Sequence, residues 1–485
     1  MKISKKYIFS LLITSLITIN VLGQFPMSLY YMETIPQLTY LNPAMQPRAN
    51  GYINIVGVNF NFHNDLSLRD VYQKHGNNWH LPIEQEFDFK KIYKRMGNSH
   101  LTSLGMEVHF PFASGGKRIN DGYFNWSIMS FAGEMQLGLP KDLFKIVDRG
   151  LPHGSELDLS PFRAKMTGYI QFLFGYSHKI TDELTVGANA RILFGQAFMM
   201  YQFKKFDATF DRDLWHFDVV GEAISSFESV GLNDPDEYQE DGVTDFGKLQ
   251  DNLDGSKILK SLFGNPGLAG DIGVVYKLND DITLSAAINN LGFITWRNAV
   301  VNTYDGKIDF DGLKYDDPND DFKAFFDEIG DSLKVITNTK VENKNVTTSL
   351  VPYLYVGGQY HFTDAISVGL LSRTTFVKNN VRQSFSLSGN MLLYEFVSLN
   401  LSLNQHLKSG TDAGIGLSLE LGPLQFFFLA DCIPLRYSKV YDGDEVVLDF
   451  FPTSIRDAYF YTGVNLLFGK RGPGKRDKPM LDRRY

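Results

Sequence analysis

Apolar and polar residues alternate with a period of two through most of the chain. Val56, Val58, Phe60 and Phe62 interleave with Gly57, Asn59 and Asn61, and Leu104, Met106, Val108 and Phe110 with Ser103, Gly105, Glu107 and His109. Phe124, Trp126 and Ile128 flank Asn125 and Ser127, while Met166, Ile170, Phe172 and Phe174 interleave with Lys165, Thr167, Tyr169 and Gln171. The cleanest run sets Leu184, Val186, Ala188, Ala190, Ile192 and Phe194 against Thr185, Gly187, Asn189 and Arg191. Further runs near 268–278, 282–297, 351–362, 365–377, 383–394, 396–406, 413–421, 424–433 and 457–468 bring the number to fourteen. This period, held over about ten residues, predicts strands with one apolar and one polar face.

The connections between these runs are of two kinds, in strict alternation. Short ones fall near 113–121, 180–183, 279–281, 363–364, 394–396 and 422–423. Longer ones fall near 63–100, 138–162, 203–265, 298–350 and 435–456, with smaller examples at 379–382 and 407–412. A water-soluble sandwich has no reason to keep that order, whereas a transmembrane barrel places short turns on one side and long loops on the other. Val397, Leu399, Leu401 and Leu403 oppose Ser398, Asn400, Ser402 and Asn404. With strands this long and numerous, an apolar exterior in lipid is the expected solution, because closure leaves no unpaired edge. The expected fold is therefore all-β: a closed antiparallel transmembrane β-barrel of about fourteen strands, with an N-terminal lumenal segment. A soluble all-β protein with the apolar set turned inward is the alternative.

One phrase recurs at the short connections. Tyr176 leads to Thr181-Asp182, Tyr276 to Asn279-Asp280, and Tyr360 to Thr363-Asp364, each followed by a β-branched or apolar restart. Asp with Thr or Asn caps a tight turn by bonding its own backbone, which places these turns along one edge, expected to be periplasmic. In the long loops, Phe322, Phe325, Phe326, Ile329 and Leu333 have helical spacing, as do Leu249, Leu253, Ile258, Leu259 and Leu262. They predict short helices over the extracellular mouth, or simple packing onto its rim.

Composition changes the picture at the two ends. Lys2, Lys5 and Lys6 precede an apolar run from Tyr7 to Leu22, which reads as a secretory signal peptide over 1–23, cut after Gly23. Residues 24–50 carry Pro26, Pro36, Pro43 and Pro47 with no clean period, 51–468 form the barrel, and 469–485 form a basic tail expected in the periplasm. No later stretch has about 18 uninterrupted apolar residues, so a membrane-spanning helix is not expected. A single cysteine, Cys432, excludes an internal disulfide framework. Together these point to the bacterial outer membrane with both mature termini periplasmic. A net charge of −8 argues against nucleic acid as a partner.

Candidate chemistry is sparse. No nucleophile elbow, phosphate loop, dinucleotide fingerprint or metal-ligand spacing occurs, so neither an enzyme nor a bound cofactor or metal is expected. The acidic segments 233–237 and 316–321 lack the turn glycine of a calcium loop, which leaves cation bridging to lipopolysaccharide as their alternative role. The interior face does carry ionisable residues: Glu107, His109, Lys165 and Arg191 on earlier strands, and Asp271, Arg373, Glu420 and Asp431 on later ones. Arg191 and Asp271 stand at similar heights above their turns and are expected to pair. These groups either brace the barrel as an internal network or line a passage and grip the N-terminal segment.

Two resemblances add to this reading. Tyr461, Gly463, Leu466 and Phe468 resemble the terminal-strand signal through which the barrel-assembly machinery recognises outer-membrane barrels, although a tail follows here. Asn42-Pro43-Ala44 after Leu41, the stretch Asn265-Pro-Gly-Leu-Ala-Gly-Asp271, and Ala287-Ile-Asn-Asn-Leu-Gly292 resemble the FadL-like barrels. That family includes the type IX secretion partner PorV and, closest to this chain, an uncharacterised Bacteroidota branch. The resemblance implies a fourteen-stranded barrel in contact with outer-membrane lipid and lipopolysaccharide, with Asn42, Pro43 and Ala44 in a plug. It leaves two functions open: uptake of a hydrophobic small molecule, or a non-transporting barrel that partners a secretion-system or surface-attachment complex.

Overall fold

The computed structural model describes residues 25–67, 73–75, 78–80, 89–149, 154–211, 215–227, 239–240, 243–244, 263–310, 340–377, 380–394, 396–407, 410–435, 437–442, 445–452 and 456–470. The signal peptide, both loop helices expected from the sequence, the two acidic loop segments and the tail beyond Lys470 lie outside these residues.

Fourteen strands close into a barrel. They are β1 (Ala49–Asn64), β2 (Ser99–His109, continued by Ser114–Ile119), β3 (Gly122–Pro140), β4 (Arg163–Lys179), β5 (Leu184–Phe210), β6 (Pro266–Lys277) and β7 (Ile282–Phe310). There follow β8 (Tyr353–His361), β9 (Ile366–Val377), β10 (Asn380–Leu393), β11 (Val397–His406), β12 (Gly410–Leu421), β13 (Leu424–Pro434) and β14 (Asp457–Lys470). Each pairs antiparallel with its sequence neighbours, and β14 closes on β1 from Ala49 opposite Lys470 to His63 opposite Asp457. Both ends of the barrel sequence therefore sit at the short-turn end.

Burial is inverted relative to a soluble protein. On β11 Leu401 is 55% exposed, while Asn400 and Asn404 are 0% exposed. Leu370, Leu387, Leu417 and Phe428 likewise face out, and Ser386, Ser388, Ser418 and Gln425 are buried. An apolar exterior around a polar interior is the arrangement that lipid requires. Among the described residues no helix is long and apolar enough to cross a membrane.

The repeated turns are built as expected, with one change in who does the capping. The hydroxyl of Thr181 accepts from the amides of Glu183 and Leu184 at 3.2 and 3.1 Å. Asn279 Oδ1 accepts from Asp281 and Ile282, and Thr363 Oγ1 from Ala365 and Ile366. The cap is thus the Thr or Asn, not the Asp beside it. Asp182 is held by Lys179 at 2.6 Å, which lowers its carboxyl below the ordinary range. The tyrosines that open the phrase, Tyr176, Tyr276 and Tyr360, are exposed just inside these turns, where an aromatic girdle meets the interface.

Four expected connections are corrected. The connection expected at 113–121 is mostly strand: Ser114–Ile119 pairs with both β1 and β3, leaving Asn120-Asp121 as a two-residue turn with Asn120 at φ 51°. Gly115 and Gly116 serve close approach. A Cβ on Gly115 would come within 2.6 Å of the Tyr52 carbonyl and 2.7 Å of the Trp126 ring. The loops expected at 203–265 and 298–350 begin or end as strand, because β5 and β7 run on to Phe210 and Phe310, joined by Trp215–Ser226 and Lys340–Ser349. At 138–162, β3 ends at Pro140, a helix spans Lys141–Arg149 and a short strand spans Ser155–Asp158. A further short helix at Phe89–Arg95 packs against the first.

Candidate functional site: a plugged lumen with a cavity above the plug

Residues 25–48 fold inside the barrel. Two 3-10 helices, Met27–Leu29 and Pro36–Tyr40, give the segment its shape, the second opened by Pro36 at its first turn. Phe25, Leu29, Ile35, Leu38 and Leu41 join inward-facing Leu173, Leu371, Phe427 and Leu429 in one buried cluster. The interior wall is polar, so the segment is also held by hydrogen bonds on every side. Asn289 donates to the carbonyls of Tyr40 and Leu41 at 2.9 and 3.0 Å, and Gln425 to that of Thr34 at 2.7 Å. Gln37 and Asn465 exchange amide bonds at 2.7 and 3.0 Å. Tyr31 donates to the Leu370 carbonyl at 2.8 Å. At the short-turn end Arg48 reaches the Asp364 carbonyl, and Arg118 reaches Gln46 and Pro47.

Asn42, Pro43 and Ala44 lie in this plug. Asn42 donates to the Tyr30 hydroxyl at 3.0 Å and accepts from the Ala44 amide at 3.0 Å. Pro43 and Ala44 press on the wall where Gly187 and Gly273 stand, and a Cβ at Gly187 would lie 2.6 Å from the Ala44 nitrogen. Glycine is required there because backbone meets backbone.

The ionisable residues singled out from the sequence divide into groups. Arg191 and Asp271 are paired: Nε donates to Oδ2 at 3.1 Å, and Nη2 bonds Oδ1. Asn189 and the amide of Asn290 also donate to Asp271, so its carboxylate is saturated. Glu107 accepts from Gln171 at 2.6 Å and lies 3.5 Å from His109, whose ring stacks on Tyr40 with centroids 5.2 Å apart. Arg373 and Asp431 hold the start of the plug, through the Phe25 carbonyl at 3.3 Å and the Ser28 amide at 3.2 Å. Glu420 is buried near the short-turn end, and Lys165 is half-buried toward the opposite end of β4. Tyr461 packs between Phe25 and Phe427, Gly463 lies against the Val56 backbone, Leu466 is half-buried and Phe468 faces out.

Above the plug, toward the long loops, lies a small cavity of about 50 Å³ that opens to solvent. Its floor is Phe25, Tyr40 and Leu41. Glu107, His109, Arg191 and Asp271 stand in its walls, joined by Glu134 and Gln171. Tyr169, Tyr353 and Tyr355 supply rings. The wall beside Ser127 and His109 is irregular in three adjacent strands at one height: β1 shifts register at Asn54/Val56, β2 is interrupted at 110–113, and β3 shifts at Ser127/Ser130. Two bonds bridge that interruption, from Phe112 to the Asn54 carbonyl at 3.0 Å and from Ile128 to the Ala113 carbonyl at 2.6 Å.

A second polar network was missed in the sequence. Ser384 and His406 are 2.8 Å apart, His406 and Asp412 2.8 Å, and His63 and Asp457 2.6 Å. Ser384 pairs directly with His406 across the ladder, so the contact follows from register and braces the wall. The alternation of polar residues on β10, β11 and β12 held that signal.

Residues 43–431 match the model of a family described as a family of unknown function, DUF5723. The chain belongs to that family. Comparison with curated proteins gives no match. Among solved structures, the fold is similar to the toluene transporter TbuX of Ralstonia pickettii, with 11% identity and a TM-score of 0.43 over 93% of this chain and 100% of that one. It is similar also to a FadL homologue of Pseudomonas aeruginosa, with 11% identity and a TM-score of 0.40 over 92% of this chain and 97% of that one. The monoaromatic hydrocarbon channel CymD gives 9% identity and a TM-score of 0.41 over 94% and 100%. The barrel assignment for this family member rests on its own strand pairing.

Proposed function

We propose that the protein is a bacterial outer-membrane barrel that admits a small, partly apolar molecule from its long-loop end into the lumenal cavity. The observation that carries this reading is the cavity itself. It combines aromatic walls with a few convergent polar groups above a plug, the usual composition of a small-molecule site. The aligned irregularities in β1, β2 and β3 support an exit beside Ser127, flanked outside by exposed Phe110, Phe112 and Ile128. With the long loops outside the cell, the short turns and residues 49 and 470 stand on the periplasmic side. A non-transporting secretion partner would fit a lumen filled along its whole height, whereas here a cavity remains above residues 25–48.

Ala132 lines the cavity and is small, so Ala132→Trp fills it. In proteoliposomes loaded with the folded barrel, uptake of a small aromatic compound should fall by at least about tenfold in this variant, the effect of losing about 1.4 kcal/mol of binding. Unchanged uptake by a folded Ala132→Trp barrel would remove the cavity from the path.

A further inference from the structure

The cavity's own chemistry narrows the ligand, granted the reading above that it is a ligand site. Four charged side chains line it: Glu107, Glu134 and Asp271 against Arg191. Arg191 is engaged twice by Asp271, so the field left over is that of carboxylates. The hydrogen-bond inventory points the same way. Gln171 Oε1 and Asn290 Oδ1 are buried acceptors without a hydrogen-bond partner among the described residues, while their amide nitrogens are committed to Glu107 and Tyr353. His109 is 2% exposed; its Nε2 lies 3.5 Å from Glu107, and its Nδ1 has no hydrogen-bond partner among the described residues. A buried acceptor left unpaired carries a desolvation cost that a donor-bearing ligand would recover. The remaining lining is mostly rings (Phe25, Tyr40, Tyr169, Tyr353, Tyr355) and aliphatic side chains such as Leu41 and Leu173; ring faces attract a cation and accept a flat apolar body.

We infer that the cavity takes a small aromatic ammonium compound, its charged N–H donors set toward Glu107 and Gln171 and its ring against Tyr40 and Phe25, and that it rejects carboxylates of the same size. An anionic head would meet Glu107 and Glu134 while leaving the orphan acceptors unpaired. A plain hydrocarbon would satisfy the rings and none of the polar groups.

Four compounds that share one phenyl-ethyl body and differ in the head test this: phenethylamine, 2-phenylethanol, propylbenzene and 3-phenylpropionate. Their binding to the full folded chain in detergent is measured by equilibrium dialysis near neutral pH. Phenethylamine should bind at least about tenfold more tightly than 3-phenylpropionate, the discrimination of one charge-assisted hydrogen bond. Ala132→Trp should abolish its binding, and Glu107→Gln should narrow the gap between amine and acid. Tightest binding of propylbenzene or 3-phenylpropionate overturns the inference and leaves the ligand site standing. Amine binding that survives Ala132→Trp, or a gap that Glu107→Gln leaves intact, overturns the assignment to this cavity. If none of the four binds, the ligand-site reading falls and this inference falls with it.

Discussion

Arg191 and Asp271 are brought together by the register between β5 and β6. They stand on adjacent strands, with Arg191 opposite Ala269 and Asp271 opposite Asn189, so the guanidinium needs to lean only two residues along the ladder. Both side chains are buried, which makes either partner costly to lose alone. Arg191→Ala or Asp271→Ala should each destabilise the folded barrel by about 3–5 kcal/mol, because the survivor keeps an uncompensated buried charge. The double variant should cost clearly less than the sum, read from denaturant unfolding in detergent or lipid; additive costs would mean that the pair is not coupled. Glu107 and His109 were legible as inward-facing from alternation alone. That they share a cavity with Arg191 was not, since strand parity fixes the face but not which facing residues meet across the lumen.

At the scale of elements, the period of two fixed which residues face out, and it failed where strands change environment. In β5 the ladder shifts near Gly195 and again near Lys204, and beyond that point Phe206, Ala208 and Phe210 are buried in a cluster with Leu157, Leu159 and Phe217. Each shift changes the phase of the pattern, so the strand's extension read as loop. The plug left a subtler trace. Leu371 follows Leu370, and Phe427 and Leu429 sit within an unbroken apolar run from Phe426, so apolar side chains interrupt the polar face. Those inward residues are the ones that meet Leu29, Ile35 and Leu38. Gly357 and Gly369 mark the same contact, since a Cβ at Gly369 would strike the Tyr31 ring. Gly369→Val should therefore leave the barrel folded and loosen the plug, seen as faster protease cleavage within residues 25–47; unchanged cleavage would show that the wall does not depend on that close approach.

For the whole molecule, inverted burial, a closed ladder and a lumen plugged at its short-turn half go together. A closed sheet solves the membrane problem for the backbone, and fourteen strands leave an interior too wide for wall side chains alone to fill. Residues 25–48 occupy the short-turn half of that space, and the cavity is what remains toward the long loops. Single-channel conductance in planar bilayers, comparing the barrel with and without residues 25–47, tests this account most directly. The intact protein should insert with little or no conductance. The deletion should insert with steps larger by roughly tenfold or more, as an emptied polar lumen of this strand number requires. Equal conductance from the two proteins would contradict a plug that closes the barrel.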